Sequence, residues 1–167
     1  MGHAEHRQSA PRRLACALLT VSDSRRSDTD ESGALLRRRL EGAGHRIAHT
    51  RIVPDEPWAI AWALQEWSLS EEIDAIVITG GTGAAPRDRT PETVESLLDV
   101  RLDGFGERFR ARSEAQVGSA AFLSRAVAGV CRGKIIFALP GSPQAVGLAL
   151  DEVLLPEIGH LAGLQRR

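Results

Sequence analysis

Four short stretches of this chain carry residue types that could do chemistry: Ser22-Asp23-Ser24, Pro54-Asp55-Glu56, Thr79-Gly80-Gly81-Thr82-Gly83 running on to Arg87-Asp88, and Pro140-Gly141-Ser142-Pro143. Glycines at 80, 81 and 83 leave backbone N–H groups with no side chain in front of them, which is how a polypeptide wraps a phosphate. Ser142 is a natural helix N-cap and Pro143 a natural first helical residue. A helix start there attracts anions by about 0.3–1 kcal/mol, and Gly141 before it lets a ligand approach. Thr90-Pro91 repeats the device. Asp55 and Asp88 could together hold Mg²⁺, an ion that takes one or two protein carboxylates and completes its shell with phosphate and water.

Each stretch also has a plainer reading. The glycines could be a flexible turn, Ser142 and Thr90 simple caps, and Asp55 part of a Pro-Asp-Glu-Pro turn. Asp88 could pair with Arg87 or Arg89. Two familiar loops are excluded: no Gly-Lys-Ser/Thr follows the glycines, and Pro86 stands where a dinucleotide fingerprint needs its third glycine.

What decides is whether the chain brings the four stretches together. Residues 14–21 form a nearly continuous apolar run, as expected of a strand covered on both faces. Apolar residues at helical spacing follow from Ala34 to Leu40, stopped by Gly42-Ala43-Gly44. The pattern then predicts a strand over 45–53, a helix over 58–67, and a strand over 73–78. Trp58, Trp62, Leu64 and Trp67 fall on or near one helical face, a cluster suited to the core or to a subunit contact. Helices are expected over 91–98 and 105–124, a hairpin over 127–139, and a last helix from Ser142-Pro143 to near Leu155.

This alternation argues for an α/β domain around a mostly parallel sheet, with a short hairpin before the last long strand. In such a sheet every strand's C-terminal end faces the same way, and the four stretches all follow strands. Open α/β sheets bind their ligands at that edge.

Composition narrows the class. The 167 residues suffice for one domain, expected over 14–167 behind a disordered arm at 1–13. A net charge of −1 offers no basic face for nucleic acid and no polybasic membrane anchor. No run approaches the about 18 apolar residues of a membrane span. Cys16 and Cys131 lie in apolar runs and read as buried, reduced thiols of a cytoplasmic protein. His45 and His49 share a strand face with no third ligand, so a solvated face is expected.

Taken jointly, Thr79-Gly-Gly-Thr-Gly83, Arg87-Asp88-x-Thr90-Pro91-Glu92, Gly104-Phe105-Gly106-Glu107, Ser119-Ala-Ala-x-x-Ser124-Arg125-Ala126 and Leu139-Pro-Gly-Ser-Pro143 resemble the MogA/MoaB family of molybdenum cofactor biosynthesis proteins. Val21-Ser22-Asp23 and Pro54-Asp55-Glu56 agree, so the resemblance covers about residues 14–162. It implies a three-layer α/β/α fold, a homotrimer, and molybdopterin held at the loop edge. For the family's catalytic branch it implies ATP and Mg²⁺, transfer of an adenylyl group to the terminal phosphate of molybdopterin, and release of pyrophosphate. Asp55 and Asp88 match that branch's functional aspartates. Residues Thr79 to Gly83, Ser22, Asp23 and Pro140 to Pro143 are then expected to hold pterin and phosphate, with Arg87 as a phosphate clamp or a structural ion pair. A downstream metal-insertion protein is an expected partner.

Two positions stand out against the family pattern: Ser119, where threonine is expected in many members, and Gln144, which brings one charge fewer if lysine is the usual phosphate contact there. The alternatives are a non-catalytic paralog that binds molybdopterin or serves in a trimer, and the competence-damage proteins of the same fold. The latter usually carry Gly-Gly-Leu-Gly where this chain has Gly80-Gly81-Thr82-Gly83, which counts against them.

Overall fold

The computed structural model describes residue 11 and residues 13–166. The expected arm at 1–13 therefore lies almost wholly outside the described residues. Within them the chain builds a six-stranded sheet of order β2-β1-β3-β6-β5-β4. The strands are β1 (Ala15–Val21), β2 (Arg46–Val53), β3 (Ala75–Thr79), β4 (Val100–Arg101), β5 (Val127–Cys131) and β6 (Lys134–Leu139). β2, β1, β3 and β6 run parallel, while β5 and β4 are antiparallel additions beyond β6.

The helices are α1 (Glu31–Gly42), α2 (Pro57–Ser68), α3 (Thr90–Glu95), α4 (Asp103–Val117), α5 (Pro143–Ala149) and α6 (Ile158–Gln165). A 3₁₀ segment at Gly118–Leu123 follows α4, and one π turn at Leu150–Leu154 extends α5.

The period of two along each strand sends alternate side chains into two cores. Cys16, Leu18, Val77, Ile135 and Phe137 point to one face, where α1, α4, α5 and α6 cover them with Leu36, Leu40, Phe109, Val146 and Ile158. Ala17, Leu19, Ile76, Ile78 and Ile136 point to the other, under Ile60, Leu64 and Trp67 of α2 and Val94 of α3. That is the three-layer α/β/α arrangement. β1 is buried along its whole length because it has a strand on each side and a helix layer on each face.

Local chemistry sets the ends. Asp30 caps α1, accepting from Gly33 N–H at 2.9 Å and from the Thr20 hydroxyl at 2.5 Å. This ties the helix start to the top of β1. Gly44 at φ +90° ends the turn after α1.

The structure corrects several expectations. Trp58 and Trp62 are 64% exposed, whereas Leu64 and Trp67 are buried, so the tryptophans do not share one core face. At 3.6 residues per turn, positions 58 and 62 project from the side of the helix opposite to 60, 64 and 67, so burying the second group leaves the first outside the covered stripe. His45 is buried, not solvated: its Nδ1 accepts the Leu14 N–H at 3.2 Å, and burial pushes its pKa down. Both cysteines are buried as expected, and the Cys16 thiol is raised to about 12 by burial and then by Asp74. Among the described residues no helix is long and apolar enough to cross a membrane.

Candidate functional site

The C-terminal ends of β1, β2, β3 and β6 deliver the four stretches to one edge, and hydrogen bonds knit them together. Ser22 N–H donates to the Val53 carbonyl at 2.9 Å, and Asp55 N–H donates to Asp23 Oδ1 at 3.0 Å, so the loops after β1 and β2 are joined. Gly80 N–H donates to the Leu139 carbonyl at 3.0 Å, and the Thr79 hydroxyl to the Pro140 carbonyl at 2.9 Å, joining the loops after β3 and β6. Ser32 of α1, itself buried, donates from its hydroxyl to the Gly141 carbonyl at 2.7 Å.

The glycines have distinct jobs. Gly80 and Gly81 adopt φ of +104° and +64°, a backbone region that side-chain-bearing residues rarely enter. A Cβ on Gly81 would lie 2.3 Å from Thr90 Oγ1 and 3.0 Å from Asp55 Oδ1. Gly81 is therefore required both for its conformation and for the space beneath it.

Those two oxygens are the most informative atoms of the site. Asp55 has a side chain only 7% exposed, and Thr90 is fully buried. Both Asp55 Oδ1 and Thr90 Oγ1 are buried without a hydrogen-bond partner. Orphan polar atoms are uncommon in folded proteins, and a ligand, ion or water is among the usual reasons for one. Burial pushes the Asp55 carboxyl up, and Asp88, Asp23 and Glu56 add to this against the opposing pull of Arg87.

Arg87 pairs closely with Asp23, and its Nε lies 3.8 Å from Asp55 Oδ2. Asp88 pairs with neither Arg87 nor Arg89; its Oδ2 accepts the Ala85 N–H at 3.0 Å, folding the carboxylate back over the loop. Ser22 is turned to local work, accepting from Ser24 and Arg25 N–H at 3.3 and 3.2 Å. Ser142 caps α5 by accepting from Ala145 N–H at 3.3 Å, with Pro143 as the first helical residue. Thr82 is buried, and its carbonyl accepts from Arg125 N–H at 3.0 Å.

The sequence reading gave no individual role to Thr90 beyond capping, or to Ser32, Glu92 and Arg125. Thr90 is not an N-cap here: it is the first residue of α3, with Arg89 at the cap position. Arg125 stands in a motif quoted for the family resemblance, but its targets are carbonyls about forty positions away, which no local pattern reveals. Among the described residues no group of three or more His, Cys, Asp or Glu is placed to hold a metal. An Mg²⁺ held by Asp55 or Asp88 together with phosphate oxygens fits the donor set, because Asp55 Oδ1 is buried and unpartnered.

Known proteins resemble this chain along nearly its whole length. Residues 17–160 match the family described as a probable molybdopterin binding domain. Molybdenum cofactor biosynthesis protein B of Halalkalibacterium halodurans is 48% identical over 162 residues, covering 96% of this chain and 95% of that protein. A crystal structure of a molybdenum cofactor biosynthesis protein B superposes with a TM-score of 0.92 at 41% identity, covering 95% of this chain and 99% of the other. The tungsten cofactor synthesizing protein MoaB from Pyrococcus furiosus gives 0.84 at 37% identity, over 95% of this chain and all of that one, its coverage being 100%.

Proposed function

The chain belongs to the MogA/MoaB family of molybdenum cofactor biosynthesis proteins, and on that premise we propose that it binds molybdopterin at this loop edge and adenylylates its terminal phosphate with Mg-ATP. The observation that carries the reading is the buried, unpartnered Oδ1 of Asp55 beneath Gly81, in a loop whose Gly81, Thr82 and Gly83 N–H groups donate to no acceptor among the described residues. A carboxylate so placed destabilises the fold, and such residues are retained where a ligand needs them.

The chemistry asks little covalent help of the protein. A terminal phosphate oxygen of molybdopterin forms a bond to the α-phosphorus of ATP. The bond from that phosphorus to the α,β-bridging oxygen breaks, and pyrophosphate leaves with the electron pair. Alignment and charge stabilisation supply the rate. Backbone N–H groups of Gly81 to Gly83 would hold phosphate oxygens, and Gly141, with its Cβ position 3.4 Å from Gly80 Cα, keeps the facing wall free of side chains. Asp55 and Asp88 would hold Mg²⁺ or its waters. When bound, that ion neutralises charge on the phosphates. Arg87, already bonded to Asp23, keeps the Asp55 loop closed against the β1 loop.

A homotrimer and a metal-insertion protein that accepts the product complete the proposal. Exposed Trp58, Trp62 and Phe122 provide apolar surface for such contacts. Light scattering on the full chain tests the trimer, and a stable monomer would remove it.

The decisive assay incubates protein, molybdopterin and Mg-ATP and follows pyrophosphate. Release that depends on molybdopterin, and that disappears in Asp55→Asn, is expected. Molybdopterin bound without any pyrophosphate released would instead make this a binding protein.

A further inference from the structure

Arg125 leaves the end of the 3₁₀ segment and reaches under the glycine loop. Its backbone N–H donates to the Thr82 carbonyl at 3.0 Å and its Nε to the Gly83 carbonyl at 2.8 Å. Its Nη2 donates to the Asp88 carbonyl, and its Nη1 pairs with Glu92 of α3. One residue therefore takes three carbonyls from the loop between β3 and α3.

We infer that Arg125 is a positioning residue that turns the carbonyls of this loop to one side and so presents its N–H groups, from the other side, to an anionic phosphate. The inference rests on the proposed placement of a phosphate chain at this edge. In a planar trans peptide the N–H following a carbonyl points opposite to it. Drawing the carbonyls of Thr82, Gly83 and Asp88 toward Arg125 therefore directs the N–H groups of Gly83, Ala84 and Arg89 away from it. Among the described residues, none of these three N–H groups, nor those of Gly81 and Thr82, donates to an acceptor. A row of oriented, unspent donors is what an anion-binding nest consists of.

The pair with Glu92 fixes the guanidinium rather than the fold. Both partners are substantially exposed, and an exposed ion pair contributes little to stability. The Glu92 carboxyl nonetheless sits below its ordinary range, because its own backbone hydrogen bond and Arg125 outweigh the effect of burial. Lysine could keep the charge but not the fork: a single ammonium cannot reproduce two carbonyl bonds and an ion pair along a planar frame.

Inorganic pyrophosphate is the probe, titrated calorimetrically into the wild-type chain, Arg125→Lys and Arg125→Gln, with amide hydrogen exchange followed over residues 80–90. Wild type should bind pyrophosphate and slow the exchange of the Gly81 to Ala84 amides. Both variants should bind roughly tenfold more weakly or worse, and their loop amides should exchange faster while those of β1 and β6 do not. Lysine should recover part of the affinity lost in the glutamine variant. Variants that bind pyrophosphate as tightly as wild type would overturn the inference, as would wild-type loop amides that ignore the ligand. The wild-type exchange measurement decides even if both variants fail to fold. Failure of adenylyl transfer alone, with these binding effects intact, would remove the catalytic reading and leave the role of Arg125 standing.

Discussion

Asp55 places its Oδ1 directly beneath Gly81, 3.0 Å from the point that a Cβ on that glycine would occupy, and the oxygen has no donor. The same point lies 2.3 Å from Thr90 Oγ1, so the loop after β2 meets both ends of the loop between β3 and α3 there. The geometry makes Gly81→Ala a sharp probe. The alanine must hold φ near +64° and displace Thr90 or Asp55. A loss of about 1–3 kcal/mol is expected from strain of this kind. Denaturant titration measures it, and an unchanged midpoint would contradict the packing described.

Asp55 itself should trade stability for function. Its folded pKa is raised, first by burial, so the folded state binds more protons than the unfolded one as pH passes upward through this window. Stability then falls as pH rises from the ordinary value of 3.8 through the raised one, and the ionised carboxylate opposes folding at pH 7. Asp55→Asn is predicted to melt higher than wild type at pH 7, with the gap closing toward acid pH, and to lose turnover. Thermal melts across pH check the sign, and a variant that melts lower at pH 7 would refute it.

Ser32 reaches from α1 to the loop after β6, its hydroxyl 2.7 Å from the Gly141 carbonyl. Removing it in Ser32→Ala leaves that carbonyl without this donor and should cost about 1 kcal/mol. The looser loop should raise the KM for molybdopterin more than it lowers kcat, which steady-state kinetics resolves.

His45 supplies a second pH dependence on the far side of the sheet. Its pKa is lowered by burial, and its neutral Nδ1 accepts the Leu14 N–H. The unfolded state therefore binds more protons below pH 6.5, and stability should decline as pH falls from 6.5 through the lowered value. His45→Gln should flatten that part of the stability–pH curve. A curve of unchanged slope would place the titration elsewhere.

Much of the fold was legible because parallel strands buried on both faces are continuous apolar runs, and β1, β3 and β6 are of that kind. The strand β4 is two exposed residues and carries no such signal. α6 escaped notice because Pro156 suggested an ending, whereas the chain makes a turn and resumes at Ile158. The π turn at Leu150–Leu154 differs from an α-helix by one residue in its hydrogen bonds, which no side-chain period reports.

The edge location of Asp55, Asp88 and the glycines followed from strand order alone. Their partners did not, since Arg87 with Asp23, Asp88 with Ala85 N–H, and Arg125 with three carbonyls depend on loop shapes that distant contacts set. Thr90 shows the same gap: a threonine before proline reads as a helix cap, and only the packed structure reveals its unspent hydroxyl.

Transfer of the adenylyl group at this edge is tested most directly by isotopic labelling. With molybdopterin, Mg²⁺ and ATP labelled at the α-phosphorus, the label should move onto the pterin, while label at the γ-phosphorus should leave as pyrophosphate. Asp55→Asn should do neither. Label at the γ-phosphorus appearing on the pterin, or no transfer from either position by a protein that still binds molybdopterin, would contradict the account.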